Sequence, residues 1–118
     1  MKLYRDAIFF GDLHDYQYET PWAFARLTAA DAAEHAVCCR VSRLLNEVIE
    51  DDALWEGLSA EEEEALYAQQ LAALDLTETA VAAYRNAHWE IRAAERADWN
   101  GAITIYEFET DGWIRWRW

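Results

Sequence analysis

Residues 102–118 read AITIYEFETDGWIRWRW, and this stretch decides the fold because it predicts a β-hairpin whose register can be derived. Two alternating segments flank Thr110-Asp111-Gly112. A two-residue loop would place Glu107 and Glu109 among apolar side chains. A three-residue loop, with Gly112 in the left-handed conformation, avoids this arrangement, so we predict the register that the longer loop gives.

The predicted register gives the hairpin one apolar and one charged face. It pairs three sets of residues, which are Phe108 with Ile114, Tyr106 with Trp116, and Glu107 with Arg115. The apolar face then holds Thr104, Tyr106, Phe108, Ile114, Trp116 and Trp118, and the charged face holds Glu107, Glu109, Arg115 and Arg117. Trp113 lies on the charged face, beside the turn. The apolar face needs a covering layer, and helices earlier in the chain can supply it.

The first 27 residues predict a second hairpin. Residues 3–10 form an apolar strand, residues 11–15 form a turn, and residues 16–27 return with aromatic side chains at alternating positions. Pro21 has no N–H for a β-ladder, so we expect the returning strand to lie at a sheet edge or to bulge at Thr20-Pro21.

Three helices are predicted between the hairpins. The first starts at a Thr28 cap and ends near residue 50, and the second covers 60–74 behind a Ser59–Glu62 capping box. The third, capped by Asp75, ends near residue 98. We therefore predict one α+β domain of residues 1–118, in which three central helices pack on an antiparallel sheet made by the N- and C-terminal β-hairpins (ββαααββ).

Composition predicts a folded cytoplasmic protein. The chain has 118 residues, of which 53% are hydrophobic. It has no run of about 20 apolar residues, so no membrane segment is expected. Residues 1–6 include Asp6 where a signal peptide would be apolar. Cys38 and Cys39 are adjacent in a predicted helix, where they point about 100° apart, so we expect reduced thiols.

Charge is the strongest compositional signal. Acidic residues number 23 against 10 Lys and Arg, which gives a formal net charge of −13. Residues 44–84 contain eleven of the acids and no Lys or Arg, so the rest of the chain is nearly balanced. Such a concentrated negative field attracts and steers a basic partner. It disfavours direct nucleic-acid binding, which depends on basic side chains that neutralise phosphates.

The predicted partner-binding surface combines carboxylates with one indole. Its residues are Glu47, Glu50, Asp51, Asp52, Trp55, Glu56, Glu61 and Glu64. Glu50 and Asp51 follow a helix C-terminus, where a negative charge opposes the helix dipole. Residues 61–64 have another reading, as a solvated helix start whose acids match the dipole. Arg85, Trp89, Arg92 and Arg96 form a ridge along the third predicted helix, and we expect this ridge to neutralise part of the acidic surface.

No catalytic, cofactor or metal site is predicted. Asp12-Leu13-His14 resembles the Asp-x-His opening of metallophosphoesterases, whose later Gly-Asp and Gly-Asn-His elements are absent from this chain. Asp31, His35 and Cys39 recur at helical spacing, one ligand short of a structural zinc site. His35 and Cys39 are the best available catalytic pair, although nothing in the sequence orients the histidine.

These patterns predict a function in binding. The leading hypothesis is an inhibitor of a basic protein, similar in charge to an antitoxin or immunity protein that blocks the cationic groove of a nuclease. The alternative is a self-associating domain that pairs two copies through an exposed edge of the C-terminal hairpin. A monomer or a homodimer is compatible with the leading hypothesis. A small enzyme that uses His35 and Cys39 is the third hypothesis.

Overall fold

The computed structural model describes the backbone of residues 1–118 and every side chain except that of Ala97. Along the chain, three strands precede the helices and three strands follow them. The strands are β1 (Lys2–Arg5), β2 (Ile8–Glu19), β3 (Trp22–Ala29), β4 (Trp89–Arg92), β5 (Gly101–Phe108) and β6 (Trp113–Arg117). The helices are α1 (Ala32–Arg43), α2 (Asp52–Trp55), α3 (Ala60–Ala73) and α4 (Glu78–Arg85). A π-helical turn (Leu44–Val48) continues α1, and a 3-10 turn (Ala97–Trp99) precedes β5.

The strands form one antiparallel sheet that closes into a barrel. Their order is β1-β2-β3-β6-β5-β4, and β4 pairs with β1 to complete the circle. The prediction of helices with an antiparallel sheet is confirmed, but the sheet closes into a six-stranded barrel and is not the sheet of two hairpins that the sequence predicts. The chain before α1 supplies three strands, and β4 joins the C-terminal hairpin. Because β6 pairs with both β3 and β5, the hairpin has no free edge.

The turn of the C-terminal hairpin has the predicted register. Phe108 lies opposite Ile114, Glu107 lies opposite Arg115, and Gly112 has φ +98° in a three-residue loop. A bulge beyond Glu107 then places Ile105, in place of Tyr106, opposite Trp116. The predicted inward positions of Thr104, Tyr106 and Trp118 are therefore wrong, and all three side chains are exposed.

The N-terminal turns also differ from the prediction. The chain reverses at Asp6-Ala7, where both residues have positive φ, and again at Thr20-Pro21. Residues 11–15, predicted as a turn, belong to β2. Gly11 serves a close approach between strands, since a Cβ there would lie 2.6 Å from a Leu27 methyl carbon and from the Thr28 carbonyl oxygen.

Local capping signals locate α3 correctly and α1 approximately. In the capping box of α3, the Ser59 hydroxyl accepts a hydrogen bond from the Glu62 N–H at 3.1 Å, and the Glu62 carboxylate accepts one from the Ser59 N–H at 3.2 Å. Helix α1 is capped by Asp31 and not by Thr28, which lies in β3. None of the described helices has both the length and the apolar composition needed to cross a bilayer.

The third predicted helix is wrong over half of its length. Helix α4 is capped by Thr77 and ends at Arg85, after which residues 89–92 form β4. Trp89, Ile91 and Ala93 are buried at alternate positions, with β1 and β5 on either side. The sequence of this segment fits a helical period as well as a strand, and the two neighbouring strands decide between them.

Buried side chains form two clusters. One fills the barrel, where fully buried Ala23 and Ala25 lie opposite Trp116 and Ile114 and leave room for them. The other joins the helices through Val41, Leu44, Leu71, Leu76 and Val81. The molecule measures 52 × 29 × 23 Å, so the helices extend its length beyond the barrel. We name residues 44–84 the helical arm.

Helix α1 connects the two clusters. Cys38 and Cys39, both free thiols, belong to the cluster that fills the barrel, whereas Val41 and Leu44 belong to the arm. The sequence predicts a polar face of α1 that includes Cys39 and Ser42. That prediction is wrong, because both residues are buried where α1 meets β5.

Candidate functional site

The predicted binding residues all lie on the helical arm. Glu47 is in the π-helical turn, Glu50 and Asp51 are in the following connection, and the others lie in α2, just after it, or in the first five residues of α3. All seven carboxylate residues are exposed, whereas Trp55 is half-buried. The structure therefore places these residues on one part of the molecule and leaves the carboxylates open to solvent.

The described side chains form six ion pairs, and almost all of them lie off the arm. The pairs are Lys2–Asp12, Arg5–Glu34, Arg43–Glu47, Arg92–Glu90, Arg96–Asp98 and Arg115–Glu107. Only Arg43–Glu47 includes a predicted binding residue. Its atoms are 3.3 Å apart and both side chains are 66% exposed, so solvent screens the pair.

The predicted arginine ridge does not neutralise the arm. Trp89 is buried in the barrel, where Arg92 and Arg96 pair with Glu90 at 2.7 Å and Asp98 at 3.1 Å. Arg85 lies at the end of α4 and takes part in none of the ion pairs of the described side chains. Trp89 and Arg92 of the predicted ridge lie in β4, where their contacts are with residues of the barrel.

Trp55 of the predicted binding surface and Trp113 beside the hairpin turn both have structural contacts. The Trp55 indole N–H donates a hydrogen bond to the Val48 carbonyl at 2.9 Å, which fastens α2 to the π-helical turn. Trp113 is half-buried, and the Arg26 guanidinium lies 5.4 Å from its ring centre. Trp55 therefore offers part of its surface to a partner, and Trp113 lies on the outside of the barrel.

A cleft of about 980 Å³ opens beside the arm. Helix α1 and the π-helical turn form one wall, the loop of the C-terminal hairpin forms another, and residues 73–75 at the end of α3 close the third side. Five acidic residues line it, which are Glu47, Asp75, Glu107, Glu109 and Asp111. Arg40 and Arg43 are the basic residues among its described lining.

Two irregular backbone segments meet at this cleft. The Asn46 amide in the π-helical turn donates a hydrogen bond to the Tyr106 carbonyl in the bulge of β5, at 2.8 Å. The buried Ser42 hydroxyl accepts one from the Phe108 N–H at 3.1 Å. These bonds fix the start of the arm against the barrel and set the width of the cleft. Bulges and π-helical turns are both frequent near functional sites.

His35 and Cys39 meet inside the cleft. The Cys39 sulfur lies 3.4 Å from His35 Nε2 and 3.6 Å from the Glu109 carbonyl oxygen, to which the thiol donates. Burial raises the pKa of the Cys39 thiol and lowers the pKa of His35, so both side chains favour the neutral form. A neutral thiol is a weak nucleophile, so the environment opposes the activation that catalysis by Cys39 would need.

The remaining predicted polar candidates stay apart. Both other histidines, His14 and His88, are exposed and distant in the chain from His35. Among the described side chains, no group of three or more His, Cys, Asp and Glu residues is arranged to hold a metal ion. Burial raises the pKa of the Cys38 thiol to about 12, and the sulfur lies 3.8 Å from Arg5.

Sequence reasoning missed four of the five carboxylates of the cleft, all except Glu47. Glu107, Glu109 and Asp111 alternate through the hairpin turn, and this spacing is a local signal of a shared acidic face. Asp75 lies more than thirty residues earlier in the chain, and only the fold brings it to the same cleft.

The chain was compared with protein-family models, curated proteins and solved structures, and no match was found in any of the three.

Proposed function

We propose that the protein inhibits a basic protein, in the manner of an antitoxin or immunity protein, by docking its helical arm onto a cationic surface. The observation that carries this proposal is the state of the arm carboxylates. They are exposed, and of the seven predicted residues only Glu47 has an ion-pair partner among the described side chains. Their mutual repulsion is relieved when a basic surface covers them.

The arm acts by steering and by obstruction. Its field increases the rate at which a basic protein meets it, and this increase declines as salt rises. Once docked, the arm occupies the place where phosphates would bind, so a nuclease or another nucleic-acid-binding protein is the kind of partner that we propose. No cofactor or metal takes part, and the protein does not itself bind nucleic acid.

The other hypotheses have less support. Self-association through the hairpin requires a free strand edge, and β6 has none because it is paired on both sides. Catalysis by Cys39 is opposed by burial of the thiol. The proposal places the protein in the cytoplasm, where its two free thiols would stay reduced.

Charge reversal on the arm tests the proposal. The protein would be immobilised to capture a basic protein from a lysate of the source organism, and association rates would be measured with that purified partner. We expect Glu61→Lys with Glu64→Lys to slow association by about tenfold or more at low salt, because steering is lost. Far-UV circular dichroism would confirm that α3 remains folded.

A double variant on the barrel is the matched control. Glu19→Lys with Glu95→Lys changes the net charge by the same amount at two exposed positions outside the arm. We expect this control to associate within about threefold of the wild type. Equal slowing by both double variants would contradict docking through the arm, since only net charge would then matter.

A further inference from the structure

The cleft continues the acidic surface of the arm. Glu47 belongs both to the predicted binding residues and to the cleft lining, so a partner that covers Glu47 also covers the cleft mouth. The cleft volume of about 980 Å³ lies at the upper end of the ligand-pocket range, about 300–1,000 Å³. It has room for side chains of a partner, which the convex surface of α3 does not offer.

The cleft lining combines apolar and acidic groups. Ala36 and Leu74 supply accessible apolar surface, to which an aliphatic stem can pack. Of the five carboxylates, Glu47 is held by Arg43 and Glu107 by Arg115. Asp75, Glu109 and Asp111 have no cationic partner among the described side chains. The remaining arginine, Arg40, is less than half exposed.

The carboxylates at the hairpin loop repel one another. Partial burial raises the pKa of Glu109, and the neighbouring charges of Glu107 and Asp111 raise it further. A cation bound between Glu109 and Asp111 would remove this repulsion. A guanidinium suits the position, because it is planar and can bond two carboxylates at once.

We propose that the cleft receives one arginine side chain of the basic partner, with its guanidinium at Glu109 and Asp111 and its methylene stem against Ala36 and Leu74. This inference rests on the proposed function and deepens it. The arm then gives the rate of encounter, and the cleft gives a single anchor that slows dissociation. Arginine is also among the residues that most often dominate the energy of protein interfaces.

Capped tripeptides test the cleft without the partner. Acetyl-Gly-Arg-Gly-amide would be titrated into the full-length protein, with acetyl-Gly-citrulline-Gly-amide as an uncharged analogue of nearly the same shape. Amide chemical shifts would be followed by NMR. We expect the arginine peptide to move the signals of residues 107–111 and His35 to saturation, and the citrulline peptide to bind at least tenfold more weakly.

Matched variants separate the cleft from the arm. Glu109→Gln with Asp111→Asn should weaken the arginine peptide at least tenfold, and Asn at 111 retains a side-chain oxygen for the Trp113 N–H, which now donates to Asp111 at 3.1 Å. Glu61→Gln with Glu64→Gln removes the same charge and should change its affinity by less than threefold. Equal binding of both peptides would overturn the cleft proposal. Slowed association by the arm variants in that case would leave the proposed function standing.

Discussion

The barrel and the helical arm differ in how far their charged side chains are paired. Five of the six ion pairs among the described side chains lie within the barrel or between it and α1, and all nine cation–π contacts use barrel arginines or Lys2. The arm has eleven acids and no Lys or Arg of its own. Outside the arm, five of the twelve acids are paired with basic side chains, whereas on the arm only Glu47 has an ion-pair partner among the described side chains.

This difference shows where each part obtains its stability. The barrel combines a large aromatic interior with paired surface charges. The arm depends on a smaller aliphatic cluster and must tolerate repulsion among its carboxylates. Carboxylates that repel one another and so weaken the fold are expected on a surface whose residues are determined by binding and not by folding.

The largest effect is expected inside the barrel. Trp116 is 0% exposed, so Trp116→Ala should leave a cavity and lower the free energy of unfolding by about 3–5 kcal/mol. Trp118 lies two residues later and is 46% exposed. Trp118→Ala should lower it by about 1 kcal/mol or less. Urea unfolding would measure both, and equal losses would show that the barrel does not depend on its interior as the comparison requires.

A smaller effect is expected at the joint between the two regions. Ser42 is 2% exposed, and its hydroxyl accepts the hydrogen bond from the Phe108 N–H. Ser42→Ala leaves that buried donor unpaired and should lower the free energy of unfolding by about 1–3 kcal/mol. Thr104→Ala, at an exposed position of β5, controls for the loss of a hydroxyl. Hydrogen exchange of the Phe108 amide should accelerate only in Ser42→Ala; unchanged protection would mean that this bond does not hold α1, which leads into the arm, to the barrel.

The sequence predicts what neighbouring residues determine. Gly112 fixes the hairpin loop, and Ser59 with Glu62 fixes the start of α3, since each signal acts within a few residues. Closure of the barrel depends on pairing between β1 and β4, about ninety residues apart. The bulge at Tyr106 meets Asn46, sixty residues earlier. Neither contact leaves a periodic trace in the sequence.

The candidate site likewise has one part that the sequence predicts and another that only the tertiary fold assembles. A run without Lys or Arg can be read directly from the chain, so the arm carboxylates were predicted and are exposed. The cleft draws Glu47, Asp75 and residues 107–111 from three segments, and their meeting depends on the tertiary fold. The predicted ridge failed for the same reason, because β4 takes Trp89 and Arg92 away from the helix that would have aligned them.

The smallest effect is expected at Glu109, where the acidic loop of the barrel faces the arm. Its pKa is raised in the folded protein, so the ionised carboxylate is less favourable there than in the unfolded chain. Protonation therefore stabilises the fold, and this contribution is present at low pH and is lost as pH rises through the raised pKa.

Glu109→Gln should be the more stable protein at pH 7, by no more than about 0.5 kcal/mol, because the side chain is exposed. The difference should vanish below about pH 4, where the wild-type carboxyl is also neutral. Thermal unfolding midpoints between pH 3 and 8 would measure this, with Glu19→Gln on β2 as the control for simple loss of one charge. If Glu19→Gln raises the stability by as much as Glu109→Gln does, the effect comes from the net charge of the whole molecule. The loop would then not mark the boundary between the region of paired charges and the region of unpaired charges.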